Sequence, residues 1–150
     1  MLIRSRSLFD RVRLTTSAIL ALTLAAGCAS GAVRLYEGPK QPDEAVAVLA
    51  WSGLTSVVQI NDKPVESGTR RAELLPGQYK VVYWGEFWGS VMLGPPIRRV
   101  GPLTAVLSLQ AGRTYVVNAE QRGPRDRPYL YLWIEDSASG EVLHGERPPR

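Results

Sequence analysis

From residue 43 onward the chain is a series of short apolar runs, each stopped by glycine, proline or an Asn-Asp pair. This punctuation constrains the fold more than any other feature. Fourteen glycines and eleven prolines serve 150 residues, and they fall between the apolar runs. Short runs separated by turn residues predict a β domain with many turns.

The runs can be taken in order. Glu44 to Trp51 reads EAVAVLAW. A continuous apolar run of this length predicts a strand covered on both faces, with a short alanine-rich helix as the competing reading. Ser56 to Ile60 is a second strand, followed by turn chemistry in Asn61-Asp62-Lys63-Pro64. Arg70 to Leu75 is a third, and Pro76-Gly77 suits a type II turn with glycine supplying the positive φ. Gln78 to Trp84 puts Tyr79, Val81 and Tyr83 on one face and Lys80, Val82 and Trp84 on the other. Leu103 to Gln110 and Thr114 to Glu120 alternate. Leu107, Tyr115 and Val117 therefore belong to one buried interface, on strands expected to be adjacent. Tyr129 to Asp136 is apolar on both faces, and Ser137 to Gly140 turns it into Glu141 to His144. The tail GERPPR is expected to fray. The sum is an all-β fold, an antiparallel β-sandwich of about seven to eight short strands over residues 43–146.

Gly85 to Pro102 breaks the rhythm, being apolar and rich in glycine and proline. Pro95, Pro96 and Pro102 have no N–H to donate, so full pairing into a sheet is not expected. Long connections of this kind are often functional. Its Phe87, Trp88, Met92 and Leu93 must fold over the sandwich or stay exposed, and partial exposure of Trp88 is the expectation.

Ahead of the domain, Arg4, Arg6, Arg11 and Arg13 precede an apolar run from Ala18 to Ala26. A positive segment, a short apolar segment and small residues make the pattern of a secretory signal. The apolar run is about half of what a membrane-spanning helix needs. It ends in Leu24-Ala25-Ala26-Gly27-Cys28. This resembles a bacterial lipobox, with Ala25 where that family prefers a bulkier aliphatic residue. The resemblance implies cleavage before Cys28, lipidation of its thiol and anchoring in a membrane. Residues 1–27 then form a lipoprotein signal peptide and residues 28–42 a lipidated tether, of which Arg34 to Pro39 is a candidate to dock on the domain edge. Cys28 is the sole cysteine, so no internal disulfide is available. Ala29 follows it, not the Asp that often signals inner-membrane retention. By that likeness the periplasmic face of the outer membrane is favoured in a cell that has one.

Removing the leader takes away four arginines and Asp10, so 18 basic and 14 acidic residues become 14 and 13, a net of +1. The basicity is largely the leader's and gives no support for nucleic-acid binding. Catalytic chemistry has few carriers. The one histidine, His144, lies near the tail, which makes a Ser-His-Asp triad improbable. No zinc-ligand cluster or phosphate-binding glycine motif stands out, and no cofactor is expected. Glu135 and Asp136 are neighbours on a strand and point to opposite faces. Solvated charge at a strand end is the ordinary reading. A hydrolase built on Glu135 or Glu141 is the least favoured alternative.

The aromatic residues offer more. Tyr83, Trp84, Phe87 and Trp88 cluster at the start of the long connection, and Tyr129, Tyr131 and Trp133 share one strand face. Each set is either core or a contact surface. Trp84, Phe87, Trp88, Tyr129 and Tyr131 are the candidate contact residues for an envelope protein or a glycan. Arg98-Arg99 and Arg122, Arg125 and Arg127 are candidates to meet lipid head groups or acidic polymers, against ordinary solvated loops.

Three turn segments, Ile60-Asn61-Asp62-Lys63, Leu75-Pro76-Gly77-Gln78-Tyr79 and Leu109-Gln110-Ala111-Gly112-Arg113-Thr114-Tyr115, look like those of a PEGA-type or transthyretin-like β module. The wider run from Leu35-Tyr36-Glu37-Gly38-Pro39 to Gly140-Glu141-Val142 is similar to a group of small uncharacterised bacterial lipoproteins. The resemblance implies fold and anchoring, and it transfers no catalytic residues. The expected protein is a membrane-anchored, non-enzymatic envelope module, with glycan binding as the alternative.

Overall fold

The protein was analysed as a computed structural model that describes residues 32–51, 53–89, 97–124 and 127–149. The leader, Cys28, Met92 and Leu93 lie outside the described residues. Among the described residues ten strands form two sheets packed as a β-sandwich. They are β1 (Ala32–Arg34), β2 (Ala47–Trp51), β3 (Thr55–Ile60), β4 (Lys63–Pro64), β5 (Arg71–Leu74), β6 (Gly77–Trp88), β7 (Ile97–Leu109), β8 (Thr114–Arg122), β9 (Tyr129–Asp136) and β10 (Val142–Gly145). One sheet runs β1-β5-β2-β8-β9-β10 and the other β4-β3-β6-β7.

The eight strands expected from the sequence are all present, and β1 and β4 are additions. β4 is two residues long and pairs with β3 across Asn61 and Asp62. Both turn residues have positive φ, 47° and 63°, which their short polar side chains tolerate. Within the expected tether, residues 28–42, the chain docks on the sheet edge at Arg34 and Leu35, as expected, and the pairing begins earlier, at Ala32. Ala32 already pairs with Arg71, and the Leu35 N–H continues the ladder to the Glu73 carbonyl at 3.0 Å. Edge pairing gives this segment's backbone polar groups partners. The helical alternative over Glu44 to Trp51 shrinks to one 3-10 turn, Asp43–Ala45, before β2. On β2 both Val48 and Leu49 are buried, as a doubly covered strand requires.

Two pairs are parallel, β1 with β5 and β2 with β8, in an otherwise antiparallel scaffold. They arise because consecutive strands often change sheet. β5 passes to β6 through Leu75 and Pro76, and Gly77 has an almost extended φ of 156°. The expected type II turn at Pro76-Gly77 is therefore absent, because a corner between sheets does not reverse the chain. β7 and β8 likewise sit in different sheets. Leu107, Tyr115 and Val117 are all buried in one core cluster, as expected. They meet across the sandwich and not on adjacent strands.

The long connection departs furthest from expectation. β6 and β7 are one hairpin, paired from Gly77 with Leu109 to Trp88 with Ile97. The ladder steps from Tyr83–Leu103 to Gly85–Val100, so one extra residue sits on β7 opposite Trp84. Gly101 and Pro102 occupy this bulge, where a missing donor is tolerated. The bulge also switches the phase of β7. Leu103, Ala105, Leu107 and Leu109 face inward before it, and Val100 and Arg98 take the inward positions beyond it. Gly85 lets the hairpin come down onto the other sheet, since a Cβ there would collide with Leu130 and Leu132 of β9.

The tail is docked, contrary to expectation. The Glu146 N–H bonds the Leu132 carbonyl at 3.1 Å, Arg147 pairs with Glu135, and Arg122 donates to the Pro149 carbonyl at 2.9 Å. Residues 146–149 thus cross β9 from the β10 edge toward the end of β8.

Candidate functional site

The end of the sandwich where the β6–β7 hairpin overhangs β8 and β9 gathers most of the candidate residues. It is built by alternation. On β6 the odd positions Val81, Tyr83 and Phe87 are buried, while Trp84 and Glu86 are half-buried and Trp88 is 60% exposed. Ile97, paired with Trp88, is 46% exposed, and Tyr129, paired with Arg122 on β8, is 50% exposed. Phe87 is only 9% exposed. That corrects its place among the contact residues, because it lies on the inward face of the hairpin.

The Trp88 backbone is clamped. Its N–H donates to Gln121 Oε1 at 3.0 Å, and Gln121 Nε2 donates to its carbonyl at 2.9 Å. β3 ends opposite Gly85, so β6 lacks a strand neighbour on that side at Trp88. One amide side chain from the other sheet replaces it and satisfies both backbone groups. Gln121 was missed from the sequence. The available signal was its phase, since it continues the inward series Tyr115, Val117 and Ala119 with a polar residue.

Trp84 lines a separate cleft of about 420 Å³ with Trp51, Arg70, Glu86 and Arg99. Arg99 Nε donates to Glu86 at 2.9 Å, and Arg70 donates to the Thr55 carbonyl at 3.0 Å. The Tyr129 and Tyr131 rings lie 5.6 Å apart at 73°, edge to face. Such a pair presents one ring face and one ring edge, not a flat stacking platform. Farther along that strand face, Trp133 is buried and donates from Nε1 to Glu135 at 2.6 Å.

The carboxylates are structural partners. Asp136, expected to be a solvated strand end, is 3% exposed. Arg113 donates to its Oδ2 at 2.7 Å, and the Ala138 and Ser139 N–H groups donate to Oδ1 at 2.8 and 3.0 Å. The Arg113 hydrogen bond, with the help of the Ser139 amide, holds its pKa down at about 2, against an ordinary 3.8. Asp136 follows Leu130, Leu132 and Ile134 on the inward face, and Arg113 together with the turn satisfies it there. Glu135 is held by Arg147 and Trp133, and Glu141 is exposed. His144 Nδ1 lies 3.4 Å from the Tyr83 hydroxyl, and burial raises the Tyr83 pKa. Among the described residues no group of three or more His, Cys, Asp and Glu is placed to hold a metal ion. No described helix is long and apolar enough to cross a membrane.

Fold and site together define a β-sandwich that exposes Trp88, Ile97 and Tyr129 at its hairpin end, with Arg99 and Arg122 nearby. No family model, no curated protein and no solved structure matches the chain.

Proposed function

We propose that this chain is a lipid-anchored, non-enzymatic interaction or accessory module of the cell envelope. Cys28 carries the lipid, and the hairpin end carries the contacts. Trp88 supports the reading most directly. Its backbone is held on both polar groups by Gln121 while its ring stays mostly in water beside Ile97. A rigidly held, solvent-facing tryptophan is the kind of anchor that interfaces use. The carboxylates favour a non-catalytic role. A general acid at neutral pH needs a raised pKa, whereas Asp136 is pushed down and Glu135 is tied up by Arg147 and Trp133. Glycan binding ranks second, because Tyr129 and Tyr131 are crossed and Trp84 is half-buried. Ala29 after the cysteine favours the outer membrane where one exists.

The test is Cys28→Ser expressed in a bacterial host. The expected protein lacks the lipid mass and leaves the membrane fraction. A Cys28→Ser protein that still matures at residue 28 and stays membrane-bound overturns the anchor.

A further inference from the structure

We infer that the hairpin end of the sandwich seats on an anionic bilayer surface, with Trp88, Ile97 and Tyr129 entering the interface among arginines. The inference rests on the lipid anchor at Cys28 and names the partner of the surface proposed above.

The strand registers set the orientation. Ala32 is level with Arg71, Ala50 and Val116 across the six-stranded sheet. β1 runs antiparallel to β8, so the chain enters β1 from the end toward which β8 runs. That end holds Arg122, Tyr129, Gln121 and, through Gln121, Trp88. The four steps from Cys28 to Ala32 reach at most about 14 Å. From Val116 to Arg122 the strand β8 extends about 20 Å toward the same end. Sheet twist turns β8 relative to β1 and brings that projection within the tether's reach. A bilayer holding the Cys28 acyl chains is therefore close enough for this end to touch it.

The chemistry of the end suits such a surface. Tryptophan and tyrosine favour the membrane interface, and arginine stems lie along apolar surface while their heads reach phosphates. Arg98, Arg99, Arg122 and Arg127 supply guanidinium groups here, each already engaged within the protein, Arg99 with Glu86 and Arg122 with Glu120. The Gln121 clamp fixes the Trp88 backbone, which lowers the cost of ordering that ring.

Because Cys28 is the sole cysteine and is blocked by lipid, one introduced cysteine reports a single site. The mature lipoprotein carrying Ile97→Cys, Tyr129→Cys, Val106→Cys or Ser139→Cys is reconstituted in phosphatidylglycerol–phosphatidylcholine vesicles. Labelling by a polymer-linked maleimide is timed. Rates are normalised to the same variants in the Cys28→Ser background, free in solution. Val106 and Ser139 are exposed, away from the hairpin end. A seated state populated about nine times in ten slows Ile97→Cys and Tyr129→Cys about tenfold, and leaves the other two unchanged. Equal normalised rates at all four sites, with Cys28 acylated by mass, overturn the seating and leave the anchor standing. An unacylated Cys28, seen as a second labelled thiol, overturns both. Protection that grows with the protein-to-lipid ratio assigns the surface to a second copy of the chain and overturns the seating.

Discussion

The two ends of the sandwich treat their residues in opposite ways. At the β9–β10 turn an acid is inside, and at the β6–β7 hairpin a tryptophan is outside. Asp136 is almost fully buried and Trp88 is mostly exposed. Residue polarity alone would have reversed them. Strand phase and the supply of partners decide instead. Asp136 falls on the inward phase, and Arg113 with two turn amides replaces its lost water. Trp88 falls on the outward phase, and the partner it finds, Gln121, takes hold of its backbone and leaves the ring in solvent. One end is closed by its own hydrogen bonds, and the other is presented.

Between the ends lies the shared core, where the largest effect is expected. Leu107 is 1% exposed, facing Tyr115 and Val117 across the sandwich. Leu107→Ala should cost about 2–5 kcal/mol in chemical denaturation. A loss near zero would place that face in solvent and remove the frame on which the two ends are compared.

The closed end should show a pH signature. A carboxyl whose pKa falls from 3.8 to about 2 on folding stabilises the native state above the higher value. That stabilisation is lost as pH drops through the interval between the two and is gone below it. Asp136→Asn should be less stable than the parent at neutral pH, and the gap should close as pH falls toward 2. Denaturation midpoints for both proteins across acid pH measure this. Parallel curves, with a constant gap, would mean that the Arg113 pair does not differ between folded and unfolded chains.

The open end should give the smallest effect on stability. Trp88→Ala removes a ring that packs little, so denaturation should shift by no more than about 0.5 kcal/mol, while association through this end weakens. A large stability loss with association intact would make Trp88 a packing residue and the two ends alike.

Much of the frame was legible beforehand because strand periodicity and turn chemistry are local. The alternation of Leu103, Ala105, Leu107 and Leu109, the Asn61-Asp62 turn and the apolar run of β9 each follow from a few consecutive residues. The Gly85 to Pro102 segment misled for the same reason. Pro102 argues against a strand when read alone, yet a single bulge absorbs it and pairing resumes toward Ile97. The site was legible in part. Trp88 could be named because it sits among glycines in an apolar stretch, but Phe87 beside it could not be separated from it until the phase of β6 was known. Gln121 lies 33 residues from Trp88, and Arg113 lies 23 from Asp136. The phase of β8 marks Gln121 as a polar residue facing inward, but neither partner can be named from local sequence.

By itself the sequence determined the all-β class, the number of main strands and which side of most of them is apolar. These depend on side-chain alternation and on backbone preferences that act over a few residues. Only the tertiary structure decided which sheet each strand joined, that β2 and β8 run parallel, and that the tail docks. It alone put an acid inside one end and a tryptophan outside the other. Those outcomes depend on hydrogen-bond partners and packing surfaces contributed from far along the chain, which exist only once the two sheets have closed on each other.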